Sequence, residues 1–420
     1  MVTTSANSAL SDGATTPLGA PARARSGLLF VALLIFVACL PDAMLPPTLR
    51  GLLVERLGAT PSQAHWFMSI NLLGAFLSIP LLGWLRRVLG PATLVALAAT
   101  ANAVLLALLA LPISLSMAMW LRCAEGVADM TTLAVLLDLA AKAGAPAGGG
   151  RRLGVASTVL LLGLASGAAI GGLLAKEPTA VLLTGSAACA LLALAALGGR
   201  RLIRSGIASC PAVESNVLRR RTGPPLWTIA VMMASDRMLA GLLTSTIPLL
   251  LASKLGWPTD RVGSMVALPL LVMALGAYPA GLLGDRIGPL FTRSVAAVIY
   301  AIAIAMIPIV AAHSAGAMLA TMLCLGLAAS ALMPSTMTLA ARTGRGALAM
   351  GTIHAAGNVG YALGIVGAGT LLGLFGGAAP GRGDYTTVVQ LFALVHLVLT
   401  AVTMIESHRT RTAVIGTRSI

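Results

Sequence analysis

Stretches of about 20 mostly apolar residues recur twelve times along this chain, and no other feature limits its fold so strongly. They cover 27–47, 63–84, 91–111, 115–138, 153–175 and 179–197, then 226–252, 262–283, 290–311, 315–339, 348–374 and 387–405. A helix of that length crosses a hydrocarbon core roughly 30 Å thick, and in lipid a helix satisfies its own backbone hydrogen bonds. Charge content agrees. Only 10% of the 420 residues are Asp, Glu, Lys or Arg against 58% hydrophobic, where a soluble chain carries about a quarter charged. The expected fold class is an all-α membrane protein with short loops.

The first 26 residues form a polar tail. The run that follows resembles the apolar part of a signal peptide, but it continues through Pro41 and Asp42 without a small-residue cleavage site, so it reads as the first span. Cys39, Cys123, Cys189, Cys210 and Cys324 are scattered singly, without metal-ligand or disulfide spacing. No metal or cofactor is implied.

A net charge of +15 would suit a nucleic-acid binder, but the cations follow topology. With a cytoplasmic N-terminus, 20 of the 28 Lys and Arg fall inside, Arg293 among them, six fall outside, and Arg122 and Arg237 are intramembrane. The positive-inside rule then puts both termini in the cytoplasm of a bacterial inner or plasma membrane. No nucleic-acid partner is expected.

The longest interruption, a basic linker at 199–225, separates six spans at 27–198 from six at 226–405, with tails at 1–26 and 406–420. Offset by 198 residues, positions 52–91 match 250–289 without a gap and share 11 identities in 40 positions, among them Gly58/Gly256, Gly90/Gly288 and Pro91/Pro289. Such duplication points to two pseudo-symmetric six-helix bundles that rock around a midplane site.

Several ionisable residues lie where lipid should exclude them. Asp42 stands in the first span, five residues before Pro47. In the fourth, Arg122, Glu125 and Asp129 share one face, Arg122 and Asp129 being about 20° apart around a helix. Asp42 therefore implies a nearby cation, with Arg122 the first choice across a wet central cavity. Asp138 falls near the cytoplasmic end. In the second half, Asp236 and Arg237 occupy the seventh span, and His354, Asn358 and Tyr361 share a face of the eleventh. The offset carries Asp42 to Ala240, one turn from Asp236.

Two loops and one span are rich in glycine. The loop after the eighth span reads Gly281-Leu-Leu-Gly284-Asp285-Arg286-Ile-Gly288; its first-half equivalent keeps Gly83 and Gly90 but has Arg87 where Asp285 stands. In the fifth span Gly154, Gly163, Gly167, Gly171 and Gly172 form a smooth packing face and a candidate hinge.

The Gly281–Gly288 loop resembles the signature loop of the major facilitator superfamily, in which Asp and Arg pair across neighbouring helix ends. The Arg122–Glu125–Gly126 run resembles that superfamily's intramembrane motif in proton-coupled members. Asp42 with Pro46 resembles its Asp-x-x-x-Pro element, and the fifth-span glycines its antiporter motif, except that Ala168 replaces a proline.

The resemblance implies a major facilitator fold and a monomeric secondary transporter exporting a drug, metabolite or siderophore in exchange for protons. It places Asp42, Arg122, Glu125 and Asp129 in proton coupling. The substrate cavity would hold Asp236, Arg237, His354, Asn358 and Tyr361. Gating would fall to Gly83, Gly90, Gly281, Asp285, Arg286 and Gly288 in the loops and to Gly163, Gly167, Gly171 and Gly172 at the hinge. A proton-driven importer is the nearest rival. A membrane-embedded transferase would need a catalytic cluster in a sizeable loop, and the outer loops are short and poor in His and carboxylates. Without a phosphate-binding Gly-rich Lys loop, direct ATP drive is unsupported.

Overall fold

The structure, a computed structural model, describes residues 20–142, 149–202, 224–343 and 346–416. Cys210 and most of the basic linker lie outside these residues. The first half holds α1 (Ala20–Met44), α2 (Pro61–Leu89), α3 (Pro91–Leu109), α4 (Leu115–Lys142), α5 (Gly149–Leu174) and α6 (Pro178–Gly198). The second holds α7 (Leu226–Leu249), α8 (Thr259–Ile287), α9 (Pro289–Val310), α10 (Ala315–Arg342), α11 (Gly346–Gly376) and α12 (Arg382–Gly416). Helix α1 begins inside the expected N-terminal tail, and α12 continues eleven residues beyond the expected end of the last span at 405.

Among the described residues, eleven helices are long and apolar enough to cross a bilayer. The twelfth is α4, whose Arg122, Glu125, Asp129 and Asp138 lower its apolar content. Leu33, Leu77, Trp120, Leu194, Leu327 and Leu394 point outward from six different helices. An apolar rim of this kind is solvated by hydrocarbon and not by water.

The sequence duplication is written into the backbone. Positive φ occurs at Gly58 (63°) and Gly256 (64°), and again at Gly90 (70°) and Gly288 (100°), each pair 198 residues apart. Glycine meets these left-handed turns without the Cβ penalty. Helices α2 and α8 begin and end at the same offset, and π-helical segments Arg50–Arg56 and Leu250–Lys254 follow α1 and α7. Thr60 starts α2 with a capping box: its hydroxyl accepts from the Gln63 N–H while the Gln63 side chain accepts from the Thr60 N–H.

Packing repeats as well. Helix α1 packs on α5 and α6, α2 on α4, and α3 on α4 and α6; α7 packs on α11 and α12, α8 on α10, and α9 on α10 and α12. Between the halves, α5 lies against α8 and α2 against α11, a pair of contacts that the same two-fold exchange relates. These interfaces are built of small residues. A Cβ on Gly172 would stand 2.7 Å from the Gly263 Cα, and Gly373 lies against Ser62. Nearby, His65 Nε2 lies 3.0 Å from Thr246 Oγ1, and Arg50 Nη1 donates to the Ala252 carbonyl at 2.5 Å. All these contacts sit at the end of the bundle where α1 and α5 finish and α2 and α8 begin, opposite the start of α1 and the end of α12.

Candidate functional site

Helices α1 and α4 meet around Arg122, which is fully buried two turns into α4. Its Nη2 donates to Asp42 Oδ1 at 2.5 Å, and its Nη1 to Glu125 Oε2 one turn along the same helix. Asn71 Nδ2 of α2 donates to the same Glu125 oxygen at 2.9 Å, and the Phe67 ring lies 5.7 Å from the guanidinium carbon. A buried guanidinium is tolerated because two carboxylates and an aromatic face replace its water. The two acids differ in access: the Asp42 side chain is 37% exposed and that of Glu125 1%. Asp129 is half-buried on the same stripe, with no ion pair among the described residues. Asp42 and Arg122 thus meet as direct neighbours within one half, not across the cavity expected from the sequence, because Pro41 and the turn after Met44 bring α1 onto α4 at this level.

Facing this cluster, α7 presents a narrow accessible stripe of Ala230, Ala234, Arg237, Ala240 and Thr244, with Arg237 the most exposed. The residues between them are almost all buried. Tyr361 of α11 shares a 2.7 Å hydrogen bond with Thr244 and lies within electrostatic reach of Asp42, Arg122 and Arg237. The stripe therefore borders the space between the halves. His354 is exposed and Asn358 half-exposed on the same helix.

Asp236 departs from its expected place in the cavity. It turns into the second bundle, where Arg293 Nη2 donates to its Oδ1 at 2.8 Å and to the Met232 carbonyl at 2.9 Å, while Arg293 Nε donates to Thr336 at 3.3 Å. His396 Nε2 stands 3.9 Å from the same carboxylate. Consecutive helical residues point about 100° apart, so Asp236 and Arg237 cannot share one surface. Arg293, counted among the cytoplasmic cations although within the span at 290–311, is fully buried one turn inside α9. Removing it from the inside count leaves the charge asymmetry in place.

The glycine face of α5 stands on α1 in register. Cβ atoms on Gly163, Gly167 and Gly171 would collide with the carbonyl oxygens of Phe36, Leu40 and Met44, each four residues from the last. Gly172 and Ala168 turn instead to Gly263 of α8. At the opposite end, Asp285 and Arg286 are exposed and make no ion pair among the described residues. A pair is present in the first half, where Arg86 Nη2 bonds Asp138 Oδ2 between the ends of α2 and α4. Gly83, Gly90, Gly281 and Gly288 lie in or beside the same helix ends.

The family model of the major facilitator superfamily matches residues 31–235 and 226–419. The chain belongs to this superfamily. Its fold agrees with that of solved transporters. A bacterial homolog of the human lysosomal transporter Spinster, inward-facing and unoccupied, superposes with TM-score 0.72 at 14% identity, over 92% of this chain and 97% of that one. The nucleoside transporter NupG gives 0.68 at 16% identity, over 90% and 98%. A mutant of the peptide transporter POT, in complex with alafosfalin, gives 0.70 at 14%, over 91% and 94%. No curated protein matches the chain in sequence.

Within this superfamily frame, sequence reasoning missed three polar residues. Asn71 and His65 sit in α2 among apolar neighbours, and Arg293, counted with the cytoplasmic cations, lies within the span at 290–311. For the last, the signal was available: a proline starting a helix leaves position 293 already inside it.

Proposed function

We propose that this chain is a secondary active transporter that exports a small molecule in exchange for protons by alternating access, using Asp42, Glu125 and Asp129 as proton-carrying acids and Arg122 as their shared counter-charge. One observation carries the reading: Arg122 bonds a solvent-open acid and a walled-off acid at once. One guanidinium facing two carboxylates reaches neutrality only when one of them holds a proton, and an uncompensated charge is costly at this depth. When a proton binds an Asp42 oxygen, Arg122 is released to Glu125 alone; when Asp42 gives the proton up, Arg122 bridges both again. Asp129, on the same stripe, extends the acid path along α4.

The contacts between the halves support a state closed at one end and open at the other. With both termini cytoplasmic, as the cation asymmetry favours, the open side faces inward. The glycines of α5 then serve rocking: Gly163, Gly167 and Gly171 keep α1 and α5 together while Gly172 parts from Gly263. The chain is read as a monomer in a bacterial inner membrane, with small-molecule substrate, protons and lipid as its partners.

The test uses everted membrane vesicles and an untargeted comparison of metabolites inside and outside cells with and without the chain. Asp42→Asn, inserted at normal level, is expected to abolish proton-coupled efflux. Unchanged coupling removes Asp42 from the proton path, and net uptake under an imposed pH gradient replaces export by import.

A further inference from the structure

We infer that the transported molecule carries a carboxylate or phosphate group and that Arg237 is where this anion docks. This rests on the transport reading above and adds the chemical class of its substrate. Arg237 is exposed midway along a spanning helix and makes no ion pair among the described residues. Among the described residues, the acids nearest to it in sequence and across the gap are engaged elsewhere. Asp236, next in sequence, is held by Arg293 inside the second bundle, and Asp42 across the gap is held by Arg122. Asp129 stands on α4, seven residues along from Arg122.

The duplication sharpens the point. The residue of the second half equivalent to Asp42 is Ala240, one turn above Arg237 on the same accessible stripe. Where the first half sets Asp42 against Arg122, the second has Ala240 at the Asp42 position, and Arg237 beside it makes no ion pair among the described residues. A lone guanidinium at this depth is retained where a wet cavity and a mobile counter-ion serve it, and its planar fork suits the two oxygens of a carboxylate or phosphate.

The surroundings are donors. The Tyr361 hydroxyl lies within electrostatic reach of Arg237, and the Arg237 Cγ is 3.4 Å from where a Gly357 Cβ would stand. That approach sets the stem of Arg237 against α11, on which His354 is exposed and within electrostatic reach of Arg237, and Asn358 is half-exposed one turn on.

The experiment sorts by charge the metabolites whose distribution changes when the full-length chain is expressed, and repeats it with Arg237→Gln, Arg237→Lys and Tyr361→Phe at matched membrane levels. The changed compounds are expected to be carboxylates or phosphates, and the mass spectra say which. Arg237→Gln should reduce their flux at least tenfold, Arg237→Lys should retain part of it, and Tyr361→Phe should weaken it less. Neutral or cationic compounds, or anion flux indifferent to Arg237→Gln, overturn the assignment. If Arg237→Gln fails to insert, anion flux that is equal in Arg237→Lys and wild type overturns it too. No change in any compound with the wild-type chain defeats the transport reading itself.

Discussion

Arg50 and Ala252 fasten the two halves together across the pseudo-two-fold axis, the guanidinium Nη1 donating to the carbonyl oxygen at 2.5 Å. Both residues belong to the matching π-helical segments that follow α1 and α7. They line a pocket of about 590 Å³ at the closed end, together with Glu55, Arg56, Lys176 and Trp257. Because Arg50 also pairs with Glu55 at 2.8 Å and is partly exposed, the bond across the halves is worth about 1 kcal/mol, roughly a fivefold bias. Arg50→Ala should shift the population toward opening at this end. Maleimide added from outside to a cysteine placed at Thr246, in a background without native cysteines, should react several-fold faster. Equal rates in the two backgrounds would mean that the clasp is incidental.

Two glycines in tight contact with their neighbours should respond differently to the same change. A Cβ on Gly167 would meet the Leu40 carbonyl and the Ala43 side chain inside one half, whereas a Cβ on Gly172 would meet Gly263 of the other half. Overpacking within a half costs about 1–3 kcal/mol in every conformation. Gly167→Ala should therefore lower thermal stability. Gly172→Ala should leave stability nearly intact but disfavour the closed outer end, measurable as a longer distance between spin labels on α5 and α8. Similar melting losses for both variants would count against a moving α5–α8 contact.

The fold was legible because its causes are local. Apolar length gives spans, and the offset of 198 residues that pairs Gly58 with Gly256 in sequence pairs their positive φ values in space. The Arg122 cluster was legible in part, since helical spacing joins Arg122 to Glu125 and lipid demands a partner for Asp42. What periodicity along one helix does not contain is which neighbour each face meets. Asp236 and Arg237 look equivalent in sequence, yet only packing of α7 on α9 and α12 sends one into the bundle and leaves the other on the gap. Asn71 and Phe67 were invisible for the same reason: their importance comes from α2 lying on α4.

Removing Arg122 should be harder on the protein than removing either acid it holds. Arg122→Gln leaves Glu125, almost fully buried, with only the Asn71 amide, and stripping one partner from a buried pair costs about 3–5 kcal/mol. A drop of several degrees in melting temperature is expected in detergent. Adding Glu125→Gln to Arg122→Gln should recover much of it, since the charge left behind is then gone. A double variant no more stable than the single would place the cost in lost packing against Phe67 instead.

The ion pair of the second half should behave as structure where that of the first behaves as machinery. Asp236 and Arg293 are both buried, with side-chain exposures of 7% and 0%, and Arg293 also donates to the Met232 carbonyl and to Thr336 inside the bundle. Asp236→Asn leaves that guanidinium without a counter-charge and should destabilise the protein by about 3 kcal/mol or more. Replacing both partners by apolar residues of similar size, Asp236→Leu with Arg293→Met, should restore stability and keep proton-coupled exchange. Asp42→Asn should do the reverse, because Asp42 is open to solvent and can exchange its proton: a normal melting temperature with coupling lost. A double variant at Asp236 and Arg293 that folds, inserts and yet no longer couples would place this pair, with His396 beside it, in the proton path and move the coupling chemistry into the second half.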